Sequence, residues 1–200
     1  MKFEGKVALV TGSTGGIGRA IARALAREKA SIVIHGLGDS EKTERFRSSL
    51  EAEAGVRVAY VDANLEKADE AVHLVEAATN AFGRIDILVN NAGAIHNAPI
   101  ESHPPEQWDA VLAVNLSAAF HTTRTVLPQM RERNWGRIVN ISSAYGLIAD
   151  PGRVSYIASK FGLIGLTKAV ALEVARTAIT CNAVCPGFVM SSYIKDKIEK

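Results

Sequence analysis

Short apolar runs rich in β-branched residues alternate along the chain with longer segments of helical periodicity. The runs are KVALVTG, SIVIHG, VRVAYVDA, IDILVNNAG, GRIVNISS and AITCNAVCPG. Helical patterns separate them near residues 17–28, 40–53, 67–82, 105–133 and 154–174. This alternation predicts βαβ units and a parallel sheet, and the nearly continuous apolarity of the runs indicates helices on both faces. We therefore predict an α/β fold, a three-layer doubly wound parallel sheet.

The length and the apolar content favour a single domain. The chain has 200 residues, of which 48% are hydrophobic, enough for one sizeable core. No Pro- or Ser-rich linker divides it, so we expect residues 1–200 to form one domain. The final segment, SSYIKDKIEK, turns polar and resembles the start of a helix with no strand after it. We expect from this that the chain is incomplete at its C-terminus.

The charge balance gives no reason to expect a nucleic acid or a membrane as partner. Lys and Arg number 23 against 21 Asp and Glu, and no basic block stands out. The N-terminal MKFEGKVALV enters a strand directly, without the features of a signal peptide, and no apolar stretch reaches membrane-spanning length. We expect a soluble, cytoplasmic protein that acts on a small molecule.

The cysteines and histidines do not indicate a metal site. Cys181 and Cys185 lie in a run, ITCNAVCPG, that looks like a buried strand, and they lack the further partners that zinc requires. The five histidines show no ligand spacing such as two on one helical turn. We interpret the cysteines as structural and expect no metal.

A glycine-rich turn, TGSTGGIG, follows the first predicted strand. Gly12, Gly16 and Gly18 would let the backbone approach a pyrophosphate, and the next helix offers free N–H groups and a favourable dipole. The spacing differs from G-x-G-x-x-G, and such a turn can also be a simple strand-to-helix connection. Its position after the first strand, where Rossmann folds bind ligands, favours a dinucleotide.

The residues around the predicted ribose site favour NAD over NADP. A 2′-phosphate requires a nearby Arg or Lys, and residues 13–16 and 35–40 contain neither. Asp39 lies about twenty residues beyond the glycines, where an acid could accept a hydrogen bond from the ribose. Gly38-Asp39-Ser40 is equally typical of a turn and helix N-cap. Both roles of Asp39 remain open.

Tyr156 and Lys160 lie four apart in a helical pattern and therefore share one face. The unperturbed pKa of tyrosine is about 10, and an adjacent cation favours the phenolate, which suits acid–base work. Ser143, at the end of GRIVNISS, could hydrogen-bond a reacting carbonyl from the carboxyl edge of the sheet. A Tyr and a Lys at this spacing are by themselves usually only a helix face.

Several motifs together resemble the short-chain dehydrogenase/reductase family. They are TGSTGGIG, NNAG at 90–93, Asn115 in VNLS, Ser143 thirteen residues before the tyrosine, YIASK, and CPG at 185–187. The match covers essentially the whole chain. The resemblance implies an oxidoreductase that transfers a hydride between a nicotinamide and a secondary alcohol or ketone.

The resemblance also implies roles for particular residues. Tyr156 would be the general acid/base, Lys160 would lower its pKa and hold the nicotinamide ribose, Ser143 would steady the substrate oxygen, and Asn115 would support a water relay to Lys160. The implied cofactor-binding residues are Gly12, Thr14, Gly16, Ile17, Gly18, Asn64, Leu65, Asn91, Ala92, Gly93, Tyr156, Lys160, Pro186, Gly187 and Val189. Asn64 stands where the family has an acid, so its adenine contact is expected to be weaker.

Family chains continue past residue 200 with substrate-covering helices and a last strand, which this chain is expected to lack. The resemblance further implies a homotetramer built through the helix that carries the tyrosine.

Longer stretches, such as IVIHGLGD and MRERNWGRIVNISSAYGL, resemble the branch of the family that interconverts D-3-hydroxybutyrate and acetoacetate with NAD. In that branch a glutamine, a histidine and a lysine help to hold the carboxylate, and Ile95, Tyr145 and Arg153 stand in their places. Arg153 keeps the charge and Tyr145 keeps a donor, but Ile95 removes a hydrogen bond. The expected substrate-binding residues are Ser143, Tyr145, Arg153 and Tyr156. Specificity could have moved to a longer or less polar 3-hydroxy acid.

Two other interpretations are open. An NADPH-dependent 3-oxoacyl carrier-protein reductase shares the fold and the catalytic residues, but the missing basic partner for a 2′-phosphate argues against it. A non-catalytic dinucleotide-binding scaffold or sensor would keep the fold without the chemistry. All four catalytic positions are filled, so no loss of activity needs to be assumed. His96 is interpreted as a surface loop histidine.

Overall fold

The computed structural model describes residues 1–189. The strands are β1 (Val7–Val10), β2 (Ser31–His35), β3 (Val58–Val61), β4 (Ile87–Asn90), β5 (Gly136–Ile141) and β6 (Ile179–Val184). The helices are α1 (Gly16–Arg27), α2 (Ser40–Ala54), α3 (Ala68–Phe82), α4 (Pro105–Leu112), α5 (Ala118–Glu132) and α6 (Val154–Glu173). The helix start predicted at 191–200 lies outside the described residues.

The strands form one parallel sheet in the order β3-β2-β1-β4-β5-β6. The order reverses between β1 and β4, which is the switch point where a doubly wound sheet opens a crevice for a ligand. The prediction of a doubly wound parallel sheet in three layers is confirmed. In residues 1–189, no helix is both long and apolar enough to cross a membrane.

Alternating side chains of the sheet supply two separate cores. Along β1, Val7 and Leu9 join the cluster formed with α3, α5 and α6, whereas Ala8 and Val10 join the cluster formed with α1 and α2. The four residues are buried. Because successive side chains of a strand point to opposite faces, an uninterrupted apolar run is what a strand covered on both sides requires.

A buried polar network joins the middle of the sheet to two helices. Asn90 on β4 accepts from the Thr122 hydroxyl (2.8 Å) and donates to the Asn140 side chain on β5 (2.9 Å). Asn140 in turn donates to the Thr167 hydroxyl on α6 (2.9 Å). Buried polar groups are costly unless paired, so these bonds fix α5 and α6 against the strands that they cover.

The predicted long helix at 105–133 is interrupted. A π-helical turn at Ala113–Ser117 separates α4 from α5 and contains Asn115. Such turns place an extra residue in a helix and occur often at functional sites. Here the side chain of Asn115 bonds the backbone of the loop after β4, which a regular helical pattern in the sequence does not reveal.

Candidate active site

A cleft of about 730 Å³ runs along the carboxyl edge of the sheet, with walls from the segments that follow all six strands. The predicted site residues that line it are Gly12, Thr14, Gly16, Ile17, Asn64, Leu65, Asn91, Ala92, Gly93, Ser143, Tyr145, Arg153, Tyr156, Lys160, Pro186, Gly187 and Val189. Gly18 and Asn115 do not line this cleft and pack behind its wall. The structure therefore brings the sequence motifs together around one space.

The glycine-rich turn makes a close-packed cradle at one end of the cleft. Gly12 has a φ of 60°, and a Cβ on it would lie 2.9 Å from the Cα of Ala92. A Cβ on Gly18 would overlap the Gly12 carbonyl and the Asn91 amide. Only glycine tolerates both positions without displacement. Because the turn leads into the N-terminus of α1, the residues fit a pyrophosphate.

Thr11 and Asn91 bind the end of β1 to the end of β4. The Thr11 hydroxyl accepts from the backbone N–H groups of Asn91 and Ala92, each at 2.9 Å. The Asn91 side chain donates to the carbonyls of Thr11 (2.9 Å) and Gly12 (3.1 Å). The glycine turn and the NNAG loop are therefore held as one unit. Sequence reasoning did not assign a role to Thr11.

His35, at the end of β2, is a second residue that sequence reasoning missed. Its Nδ1 accepts from the Gly12 N–H (3.0 Å), and its Nε2 lies 3.0 Å from the Ala63 carbonyl. Because a carbonyl can only accept, Nε2 carries the proton and the ring is neutral. Burial lowers the pKa of His35, while the bond to Ala63 and the charge of Asp62 oppose that shift. The ring ties together three segments that line the cleft.

Asp39 and Asn64 both use their side-chain oxygens in local structure. Asp39 Oδ1 accepts from the N–H groups of Glu41 (2.9 Å) and Lys42 (3.1 Å), so it caps α2, and it does not line the cleft. The bond from Lys42 is the main cause of a lowered Asp39 pKa. Asn64 lines the cleft, but its Oδ1 accepts from the Glu66 N–H (3.0 Å). Of the two roles open for Asp39, the structure shows the N-cap.

Tyr156 and Lys160 lie on the same stretch of α6, facing the cleft. The Lys160 Nζ is 5.6 Å from the centre of the Tyr156 ring and donates to the Ile141 carbonyl (2.9 Å). Lys160 is only 3% exposed, and this burial lowers its pKa to about 8. The ammonium forms no ion pair within residues 1–189. Its charge is therefore free to act on the phenol beside it.

Asn115 supports this pair from behind. Its Oδ1 accepts from the Ala94 N–H (2.7 Å), and its Nδ2 donates to the Ala94 carbonyl and the Ser159 hydroxyl, both at 2.9 Å. Asn115 thus holds the loop after β4 against α6, next to Lys160. A Cβ on Gly93 would lie 3.4 Å from Asn115 Oδ1 and 3.8 Å from Lys160 Nζ. The structure shows a bracing role for Asn115, and the water relay stays a prediction.

Ser143, Tyr145 and Arg153, the predicted substrate-binding residues, line the end of the cleft that contains Tyr156, called here the substrate end. The Ser143 Oγ accepts from the Tyr145 N–H (3.2 Å), and the Tyr145 ring meets the Tyr156 ring edge to face at 6.4 Å. Arg153 Nε lies 3.2 Å from a carboxylate oxygen of Asp150, which no sequence motif indicated. Each predicted substrate residue is thus at the end of the cleft that contains Tyr156.

Two residues from the loop after β4 differ in position. Ile95 lines the cleft, where it places an apolar side chain at the position that a glutamine holds in the branch that the chain resembles. His96 does not line it and packs edge to face against His103, with the ring centres 5.1 Å apart.

Within the described part of the chain, no three His, Cys, Asp or Glu side chains are grouped so that they could hold a metal ion. Both cysteines are free. Cys181 lies in β6, and burial raises the pKa of its thiol to about 11. A protonated thiol is a weak nucleophile, so this environment is in line with a structural role for Cys181.

A family model described as short chain dehydrogenase matches residues 6–200. The chain belongs to the short-chain dehydrogenase family. The family implies a nicotinamide dinucleotide as cofactor, and the glycine cradle fits one. The predicted oxidoreductase class is confirmed.

Curated relatives refine the comparison. The chain is 48% identical over 197 residues to a protein of Cupriavidus necator named D-beta-hydroxybutyrate dehydrogenase, covering 98% of this chain and 76% of the relative. A protein of Rhizobium meliloti with the same name is 44% identical over 96% of this chain and 75% of its own. A 3-oxoacyl-[acyl-carrier-protein] reductase of Staphylococcus epidermidis is 39% identical over 93% of this chain and 76% of its own.

A solved structure has the same fold. It is described as a putative short-chain alcohol dehydrogenase from Sinorhizobium meliloti, with a TM-score of 0.90 and 32% identity, and the match covers 100% of this chain and 81% of that one.

The buried, neutral His35 generates a prediction about acid stability. Its pKa is lower in the folded than in the unfolded chain, so the unfolded chain binds more protons as the pH falls below about 6.5. The stability that His35 contributes is therefore complete above that pH and is lost as the pH falls towards its folded pKa. His35→Asn retains an acceptor for Gly12 and cannot be protonated.

Urea unfolding near pH 7.5 and near pH 5.5 measures this effect. We expect the free energy of unfolding to fall less between these two values in His35→Asn than in the original chain. An equal fall in the free energy of unfolding of both proteins would show that protonation of His35 does not destabilise the folded chain.

Proposed function

We propose that this chain is an NAD-dependent dehydrogenase that interconverts D-3-hydroxybutyrate and acetoacetate. The observation that carries the proposal is the arrangement of Tyr156, Lys160 and Ser143 at one end of the cleft with Arg153 beside them. The first three provide the chemistry for a carbonyl, and an arginine provides a partner for a carboxylate. The names of the two hydroxybutyrate dehydrogenase relatives support the same substrate.

In the proposed reaction, Tyr156 moves one proton at the substrate oxygen. During oxidation its phenolate accepts the hydroxyl proton, and during reduction its phenol returns a proton to the forming alkoxide. The Lys160 ammonium stabilises the phenolate by its charge, and Ser143 donates a hydrogen bond to the substrate oxygen. When bound, the nicotinamide supplies or accepts the hydride. The protein therefore contributes orientation, a proton and a compensating charge.

The preference for NAD follows from where the cations lie. Within residues 1–189, the Lys and Arg side chains that line the cleft are Lys160 and Arg153, both at the substrate end. The wall beside Gly36 and Leu37, where the ribose of a dinucleotide is expected, contains neither. A 2′-phosphate would be desolvated there without a cationic partner. The same argument disfavours the NADPH-dependent 3-oxoacyl carrier-protein reductase as an alternative.

The apolar side chain of Ile95 is compatible with this substrate but does not help to hold its carboxylate. Tyr145 and Arg153 would then provide the donors, and a 3-hydroxy acid with a longer apolar chain could contact Ile95. A non-catalytic scaffold would not require the proton-transfer residues to converge on one end of the cleft.

We further propose that the enzyme is a cytoplasmic homotetramer built through α6 and α5. Phe120 on α5 and Phe161 on α6 leave 47% and 45% of their surface exposed, and exposed aromatic side chains are typical of subunit contacts.

Light scattering coupled to size-exclusion chromatography should give four times the mass of one chain, and Phe161→Glu should lower the measured mass. A monomeric original chain would contradict the proposal.

Tyr156→Phe tests the chemistry. Removal of the phenolic hydroxyl should lower kcat with D-3-hydroxybutyrate and NAD by a factor of roughly 10² to 10⁴, the usual contribution of a positioned acid–base group. The affinity for NADH, measured by calorimetry, should change less than about threefold, because the ring remains. Thr125→Val is the control, because it removes a hydroxyl that bonds only within α5, outside the cleft.

Near-normal turnover by Tyr156→Phe would reject the proton-transfer role. Activity only on longer 3-hydroxy acids would retain the mechanism and reject the substrate. Cofactor binding without turnover of any 3-hydroxy acid would favour a scaffold.

Initial rates with NAD and NADP test the cofactor. We expect kcat/KM to be roughly a hundredfold higher with NAD, because the 2′-phosphate lacks a charge-assisted bond worth about 1.5–3 kcal/mol and is desolvated. Leu37→Arg adds a cation to the part of the cleft where the ribose is expected, so it should lower the ratio of kcat/KM with NAD to kcat/KM with NADP. Leu37→Gln serves as the uncharged control. Equal rates with both cofactors would reject the preference.

A further inference from the structure

Arg153, on which recognition of a carboxylate rests in the proposed function, already has a carboxylate partner. Asp150 lies three residues earlier, in the loop before α6. One of its oxygens is 3.2 Å from Arg153 Nε and accepts from the Tyr145 hydroxyl, also at 3.2 Å. The Arg153 guanidinium lies 4.7 Å from the centre of the Tyr145 ring. We call Tyr145, Asp150 and Arg153 the Asp150 cluster.

The Asp150 cluster is held in place by its backbone. The Ala98 N–H donates to the Gly152 carbonyl (3.0 Å), and Ala98 and Arg153 form a parallel bridge. The loop before α6 is therefore attached to the loop after β4, whose residues also line the cleft. The cluster is thus a defined part of the substrate wall.

Within the cluster, Tyr145 and Arg153 face the cleft and Asp150 does not line it. Asp150 forms an ion pair at Nε of Arg153, and the two Nη groups donate to no protein atom within residues 1–189. These groups can still hydrogen-bond a substrate oxygen. The positive charge of the guanidinium, however, is partly compensated by the negative charge of Asp150.

The pairing has opposite consequences for charged and uncharged substrates. An unpaired guanidinium would attract a carboxylate strongly. A neutral substrate group would instead displace water from the guanidinium without supplying an opposite charge, which is unfavourable. With Asp150 present, a neutral carbonyl can accept from the Nη groups at little electrostatic cost. A carboxylate is still bound, but it is repelled by the charge of Asp150 on the far side of the guanidinium.

We propose that Asp150 determines the charge selectivity of the substrate end. It reduces the preference for a free carboxylate, so that the cleft also accepts 3-oxo and 3-hydroxy compounds whose C1 group is an uncharged ester or amide. This inference rests on the proposed function, since it concerns the same end of the same cleft.

Asp150→Asn isolates the charge, because asparagine keeps an acceptor of the same shape for Arg153 and Tyr145. Initial rates of NADH oxidation are measured with acetoacetate and with methyl acetoacetate. We expect the KM for acetoacetate to fall about three- to tenfold, because the substitution removes one repulsive charge that solvent partly screens. The KM for the ester should stay the same or rise, and kcat should change for neither.

Asp69→Asn is the matched control, since Asp69 is an exposed carboxylate on the first turn of α3 outside the cleft. It should leave both KM values unchanged. Added salt should also reduce the difference between the original chain and Asp150→Asn, because it screens the charge of a partly exposed group. An unchanged ratio of acid to ester, or a higher KM for acetoacetate, would overturn the role of Asp150.

A binding measurement separates this inference from the proposed reaction. Tyr156→Phe saturated with NADH is titrated with acetoacetate and with the ester by calorimetry, with and without Asp150→Asn. Tighter binding of acetoacetate in the double variant supports the inference even if the original chain turns over neither compound. Equal dissociation constants overturn it even if the reaction is confirmed. Failure of both ligands to bind either protein rejects both proposals.

Discussion

The close approach of the turns after β1 and β4 is the constraint on which the site depends. These turns flank the switch point of the sheet, where a ligand must enter between them. The Thr11 hydroxyl and the Asn91 amide satisfy the backbone groups on both sides of the gap. Gly12 and Gly18 allow this distance because they have no side chain to separate the turns. The cradle and the loop facing it are consequences of the same contact.

The buried polar groups of this protein form a frame that serves both the fold and the chemistry. Asn90 and Asn140 fix the helices against the sheet, and Asn115 fixes the loop after β4 against α6. Lys160 is placed at the end of this frame, buried and bonded to a carbonyl. Burial of a lysine is unfavourable on its own and lowers its pKa. The surrounding bonds hold the ammonium next to the ring of Tyr156.

The two ends of the cleft differ in electrostatic character. The cofactor end uses backbone N–H groups, a neutral His35 and a helix N-terminus, and it has no cationic side chain among the described residues. The substrate end contains Lys160 and Arg153, and Asp150 compensates the second of these. The cofactor end therefore suits a pyrophosphate that is bound by backbone N–H groups and a helix dipole. The substrate end suits a small polar molecule that gains or loses a proton.

Local patterns in the sequence determined the six strands, the bounds of most helices and the position of the glycine turn, because each depends on residues close together in the chain. Tyr156 and Lys160 could likewise be paired from their spacing on a helix. The role of Asp39 as a cap was one of two that local sequence allowed. His35, Asp150 and the π-helical turn around Asn115 were decided only by tertiary structure. Their roles arise from contacts with groups that the sequence pattern does not identify: a glycine N–H, an arginine turned towards the cleft, and a loop after another strand.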